Sequence, residues 1–271
     1  MANPQRIYKT EAIILKHFPL GEADYIITLY TPHLGKLSAV AKGARKVKSR
    51  VGGHLEPLMH TNFLLARGRN LHSVSQAQTI EPFRAIREDL NKLSQATYMA
   101  ALVDAVTPDE QPNYQLFRLL ETCLGYLAKG APNSLTTFFQ LDLLDKIGFK
   151  PELYRCVECG STIEAGNHRF APGRGGTICK SCHPNLSRIL PISINCVKAL
   201  RFLQNEQYSA VARLNLQDDM IVELNSITHW LVSDLLDRDI KAFKILDQIT
   251  AFLTDQAQPT GHELTLSLIH I

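Results

Sequence analysis

Four cysteines within 27 positions, Cys156-Val-Glu-Cys159 and Cys179-Lys-Ser-Cys182, carry the clearest chemistry in the chain. Two residues between paired thiolates let one tight turn present both sulfurs to the same ion at about 2.3 Å. The 19 residues separating the pairs fall in the spacing window of a four-cysteine zinc site. Gly160, directly after the first pair, suits the positive-φ residue that such a turn needs. With all four positions filled by protein, no place is left for water or substrate, so the spacing predicts one structural Zn2+ and not a catalytic one. Two alternatives stand beside it: His183 replacing Cys182, or a metal-free segment of reduced thiols. Cys123 and Cys196 fall on apolar helix faces and read as small buried hydrophobes.

A second cluster is electrostatic. Residues 36–53, KLSAVAKGARKVKSRVGG, hold Lys36, Lys42, Arg45, Lys46, Lys48 and Arg50 and no carboxylate. Residues 1–87 carry 13 Lys and Arg against 5 Asp and Glu, whereas the remainder carries 16 against 21. Such asymmetry points to a polyanionic partner for the basic half. Arg67 and Arg69 add two more cations nearby in sequence. The barrel aromatics Tyr8, Phe18, Tyr25, Tyr30 and Phe63 are candidates for base stacking, with core packing the stronger reading for each.

No nucleophile stands beside a base, and the metalloprotease, nucleophile-elbow and phosphate-loop motifs are absent. Gly173-Arg174-Gly175-Gly176 lies between the cysteine pairs and reads as a flexible ribbon tip. Glu22 and Asp24 read as strand-capping residues. The expectation is a binding protein, not an enzyme. No run approaches the 18 apolar residues of a membrane span and no secretory signal core opens the chain, so a cytoplasmic protein is expected.

These groups need elements to hold them. Segments 7–17, 24–31, 35–43, 58–68 and 71–80 are rich in β-branched and aromatic residues and bounded by turn chemistry, predicting five short strands in a small barrel or sandwich. From Pro82 the period becomes helical: a helix over about 86–106, one after a cap at Asn113, and one from Asn133–Ser134 to Gly148. Residues 151–190 interrupt this pattern, and helices return over 193–205 and about 218–237. The predicted fold is α+β, with domains at 1–81 and 82–271 and a zinc-binding insert at about 151–190. The apolar ending ELTLSLIHI (263–271) has no assigned role.

The combination resembles the RecO family of bacterial recombination mediators, through GEAD (21–24), the run from Thr31 to Arg45 containing LGKLSAVAKGAR, LARGRNLHSVSQAQ (65–78), and the CVECG and CKSC pairs. The resemblance implies an N-terminal five-stranded OB-fold barrel followed by a helical domain with a zinc ribbon. It further implies binding of single- and double-stranded DNA, annealing of complementary strands, and, with RecR, assistance in loading RecA onto DNA coated by single-strand-binding protein (SSB). The C-terminal tail of SSB is an implied partner, its groove sought among cations such as Arg118, Lys198 or Arg201. Rival readings are a zinc-ribbon RNA- or ribosome-associated factor and a metal-dependent nuclease.

Overall fold

The computed structural model describes residues 7–236, apart from 69, 70, 133, 165, 167, 187 and 215. Arg69, the helix cap proposed at Asn133 and the 263–271 tail lie outside the described residues.

Strands β1 (Ile7–Leu20), β2 (Asp24–Thr31), β3 (Gly35–Ala41), β4 (His60–Ala66) and β5 (His72–Glu81) close into a barrel in the order β1-β2-β3-β5-β4. All pairs are antiparallel except β3 with β5, which run parallel where Ala39 faces His72. This is a five-stranded barrel of the OB type. β1 is long enough to pair with β4 over residues 7–13 and with β2 over 13–20, and its register shifts between Ile14 and Lys16. A bulge at that point bends the strand around the corner. Alternation sets the faces: along β3, Leu37, Ala39 and Ala41 are buried while Lys36, Ser38 and Val40 are half-buried.

The helical body begins with α1 (Arg84–Arg87) and α2 (Leu90–Val106), followed by α3 (Tyr114–Ala128) and α4 (Ser134–Lys146). The single helix expected over 86–106 is therefore two. Phe83 enters in the left-handed region at φ 46°, and Asp89 leaves the helical conformation to cap α2, accepting from Asn91 N at 2.9 Å and Lys92 N at 3.1 Å. A short polar side chain satisfying two orphan N–H groups stabilises a new start more than continuation does. Asn113 caps α3 as expected, accepting from Leu116 N at 3.0 Å.

A small sheet in the order β7 (Gly176–Ile178), β6 (His168–Ala171), β8 (Leu190–Ile192) forms the cysteine-bearing insert. The chain then completes the body with α5 (Ile194–Asn205), α6 (Tyr208–Val211) and α7 (Asp218–Leu236). Cys123 and Cys196 are fully buried among these helices. No helix among the described residues is long and apolar enough to cross a membrane.

The barrel and the helical body share side chains. Ile13, Leu15, Tyr30 and Leu58 of the barrel region pack into the helical core, not the barrel's own. Each such fully buried aliphatic contributes about 1.5–3 kcal/mol. His60 is buried against the Phe117 ring edge at 5.7 Å and lies 3.0 Å from Glu11 and 3.4 Å from Glu121.

Candidate nucleic-acid interface and metal centre

The basic loop joins β3 to β4 and is built from consecutive turns. Lys46 N donates to Gly43 O at 3.1 Å and Ser49 N to Lys46 O at 2.9 Å. Ser49 Oγ then accepts from Gly52 N at 3.0 Å, and a 3₁₀ turn, Gly52–His54, completes the exit. A Cβ on Gly52 would sit 2.3 Å from the Ala44 carbonyl oxygen, so only glycine permits this approach. Ala44 itself is buried in the barrel core. The loop is pinned to the β1–β2 turn: Arg45 N donates to Ala23 O at 2.9 Å, Arg45 Nη1 to Gly21 O at 2.9 Å, and Gly43 N to Asp24 Oδ1 at 2.7 Å. Asp24 thus caps a turn, as its position suggested.

Lys42, Arg45, Lys46, Lys48 and Arg50 are all exposed on this scaffold, and none forms an ion pair with the described residues. Val47, at the tip, is fully exposed. Five like charges with no internal counter-charge form a field suited to an external polyanion. The side chains are exposed, Arg45 being also bonded to Gly21 O, and the turns beneath them hold the backbone, so the segment is not a loose tether.

Lys36 does something else. Its ammonium donates to Asp104 O at 2.7 Å and pairs with Asp104 Oδ1 at 3.4 Å and Asp109 Oδ1 at 3.6 Å, with only 14% of the side chain exposed. Lys16 reaches the other oxygen of Asp104 at 2.5 Å. Both lysines therefore clamp the barrel to α2, and Lys36 leaves the group of phosphate candidates. Arg67 is exposed but lies over the Tyr8 ring, 5.6 Å from its centroid, beside the buried His72 to which the Tyr8 hydroxyl bonds at 2.9 Å. Arg67 thus shares the Tyr8–His72 site with Glu110, whose carboxylate lies 3.9 Å from the His72 ring. The signal that sequence reasoning lacked was the acidic partner near 104–109, distant in the chain.

The aromatic candidates separate as well. Tyr30 and Phe63 are core residues, Tyr8 and Tyr25 are half-buried, and Phe18 is 54% exposed. Tyr25 stacks on His17 at 4.3 Å and 6°, with the Arg45 guanidinium 6.0 Å from its centroid.

In the insert, the sulfurs of Cys156, Cys159, Cys179 and Cys182 all lie within 4.8 Å of one another. Cys159 Sγ and Cys179 Sγ are 3.8 Å apart. Ligands at about 2.3 Å in a tetrahedron stand about 3.8 Å from each other, so this donor set fits a metal without rearrangement. Gly160 adopts φ +72° and donates to Cys156 O at 2.8 Å, closing the first knuckle. Cys179 N donates to Cys156 Sγ at 3.3 Å, and Ser161 lies 3.0 Å from Cys159 Sγ, holding that thiol below its usual range. The Ser161 contact favours the Cys159 thiolate, the form a metal requires. His183 is not one of the four convergent donors.

The 173–176 stretch is not a free tip. Pro172–Arg174 form a 3₁₀ turn, Glu152 N donates to Gly175 O at 2.9 Å, and Thr177 N donates to Glu152 O at 2.9 Å. Backbone pairing with the strand-like approach to the first knuckle orders it.

Of the three helical cations, Arg118 is bonded to Glu121. Arg201 donates to Leu153 O at 3.0 and 2.6 Å and to Ile163 O at 3.2 Å, and its guanidinium stacks 4.5 Å from the Tyr154 centroid. Arg201 thus binds the insert to α5. Lys198 is exposed on α5. An open groove of about 640 Å³ between β8 and α7 carries Asp219 and Glu223; its charge opposes any acidic ligand.

Residues 5–83 match the family described as Recombination protein O N terminal, and residues 87–243 match Recombination protein O C terminal. The chain belongs to the RecO family. A relative from Roseiflexus sp. (strain RS-1), named DNA repair protein RecO, is 37% identical over 92% of this chain and 88% of its own. Relatives of the same name from Dehalococcoides mccartyi (strain CBDB1) and Heliobacterium modesticaldum (strain ATCC 51547 / Ice1) are 35% and 31% identical, over 89% and 93% of this chain and 96% and 94% of theirs. The seam between the two RecO segments falls at α1, where Phe83 turns the chain from barrel to helices.

Proposed function

We propose that this chain is a DNA repair and recombination mediator that binds single- and double-stranded DNA, anneals complementary strands and, together with RecR, assists RecA loading on SSB-coated single strands. One observation carries the reading: five exposed cations without carboxylate partners, Lys42, Arg45, Lys46, Lys48 and Arg50, on a loop pinned to an OB-type barrel. Annealing needs two polyanions brought together and left free to pair. Cations that neutralise phosphates and release counterions do this without reading sequence and without covalent chemistry. Family membership supports the recombination setting and the RecR and SSB partnerships. For the acidic SSB tail, Lys198 is the candidate of the three considered: it is exposed and forms no ion pair among the described residues, whereas Arg118, also exposed, is paired with Glu121 and Arg201 is bonded to backbone carbonyls of the insert.

The four cysteines would hold Zn2+ as a closed structural site, cross-linking the two knuckles of the insert. The bound ion supplies no open ligand position.

The test is annealing of complementary oligonucleotides, with and without SSB, by the full chain. The expected result is acceleration over the spontaneous rate that persists on SSB-coated strands and is lost at high salt. No acceleration, or binding confined to RNA, would overturn the reading in favour of an RNA-associated factor.

A further inference from the structure

The barrel contains five Phe and Tyr side chains, and four of them are committed. Tyr30 and Phe63 are buried. Tyr25 is stacked on His17 and approached by the Arg45 guanidinium. Tyr8 is bonded to His72 and covered by Arg67. Phe18 alone is exposed, at 54%.

Its position follows from strand alternation. His17 pairs with Ile27, a residue of the barrel core, so the next residue, Phe18, paired with Ile26, projects to the opposite, outer face. Lys16, on the same outer face, places its ammonium 5.8 Å from the Phe18 centroid and is itself held by Asp104. Three residues beyond Phe18 lies Gly21, whose carbonyl receives the Arg45 guanidinium. At about 3.3 Å per strand residue, the Phe18 backbone lies no more than about 10 Å from the residue to which the basic loop is fastened.

We propose that Phe18 is a base-stacking platform for single-stranded DNA, taking an unpaired nucleobase on its open face while the 42–50 loop holds adjacent phosphates. This rests on the reading of that loop as the phosphate-binding element. Every base has a π face, so such a contact is sequence-tolerant, as the loop is. Bases in a duplex are already stacked on each other, so the platform selects single strands. A mediator that must hold strands until they pair gains a contact that pairing itself releases.

The experiment uses the full chain with Phe18→Ala, Phe18→Leu and, in a Trp230→Phe background, Phe18→Trp. Trp230 is the sole native tryptophan, so the new indole reports alone. Oligo-dT should quench its fluorescence saturably, and a blunt duplex should not. Phe18→Ala and Phe18→Leu should each weaken single-strand binding by about 5-fold or more, with duplex binding and the salt slope unchanged. Leu preserves apolar area, so retention of affinity by Phe18→Leu would overturn stacking, as would absence of quenching or equal losses on single and double strands. Substituting the loop cations changes the salt slope and Phe18→Ala does not, so failure of the platform and failure of the loop reading are distinguishable.

Discussion

Replacing Arg45, Lys46 and Lys48 together by Ala removes three of the five exposed loop cations. Each phosphate neutralised on a single strand contributes about −0.7 to the slope of log K against log salt. If all five cations touch phosphate, the wild-type slope is about −3.5 and the variant's about −1.4. The affinity gap should therefore widen as salt is lowered. It should be negligible near 1 M and reach up to about 100-fold at 0.1 M. On a duplex both slopes should steepen to roughly −0.9 per contact, which keeps their ratio constant. Stability should hold, because all three side chains are exposed and the pinning bond from Arg45 to Ala23 is made by the backbone N–H. The Arg45 contacts with Gly21 and Tyr25 are lost, but both lie at the surface. Fluorescence anisotropy of a labelled oligonucleotide across a salt series, with a thermal melt as control, measures all of this. An unchanged slope would refute the loop as the phosphate-binding element. A loss of affinity that does not depend on salt would also refute it, since it would mean the loop acts by shape and not by charge.

Metal analysis of the purified chain should find about one zinc, and Cys156→Ser should lower it and depress Tm by on the order of 10 °C while leaving the DNA salt slope unaltered. A folded, metal-free wild-type chain would contradict this. Asp104→Ala should destabilise the protein by about 1–3 kcal/mol in urea titrations, since the nearly buried Lys36 loses its main carboxylate partner; no change would show that the clamp contributes nothing. Burial, foremost, holds the pKa of His72 below its ordinary value of 6.5, with Glu110 opposing and Arg67 reinforcing. The neutral ring is therefore favoured in the fold, and its stabilisation is complete above about pH 6.5 and lost as pH falls below it. Urea midpoints for wild type and His72→Gln should diverge less at pH 5.5 than at pH 7.5, and parallel pH profiles would exclude this role.

Local signals carried far. The cysteine spacing located four thiols that the fold brings together, the turn residues bounded β2 to its observed ends, and Asn113 marked the start of α3. What could not be read locally was assigned by partners remote in sequence. Lys36 and Lys42 are the same residue type six positions apart, yet one meets Asp104 and Asp109 and the other meets solvent. Phe18 and Phe63 both alternate in strands, and only barrel closure decides that one is outside and the other in the core. The break between α1 and α2 had a legible element, Asp89 as a capping residue, but the left-handed turn at Phe83 has no sequence signature. The glycine-rich stretch at 173–176 suggested mobility because its restraint comes from the backbone of Glu152, more than 20 residues earlier.

The cysteine cluster and the loop cations sit in different parts of the molecule, and the packing shows what each is attached to. The loop is fixed by Ala44 in the barrel core and by bonds to Ala23, Gly21 and Asp24, all within the barrel. The insert contributes Leu153, Phe170 and Ile192 to the helical core. It is tied there by Arg201 to its Leu153 and Ile163 carbonyls and by Glu223 of α7 to Ser193. Its own apolar cluster is small, built on Cys156, Ile163, Ala171, Ile178 and Cys179. Strands of three and four residues cannot bury enough surface to order themselves, so the metal proposed for the four cysteines would supply a cross-link where burial is small. Because three of its side chains sit in the larger core, loss of the cross-link reaches the whole helical body. That body in turn holds the barrel through Asp104 and the His60–Phe117 contact. On the proposed function, the cysteines would stabilise the body on which the barrel stands, while contact with DNA would fall to the loop.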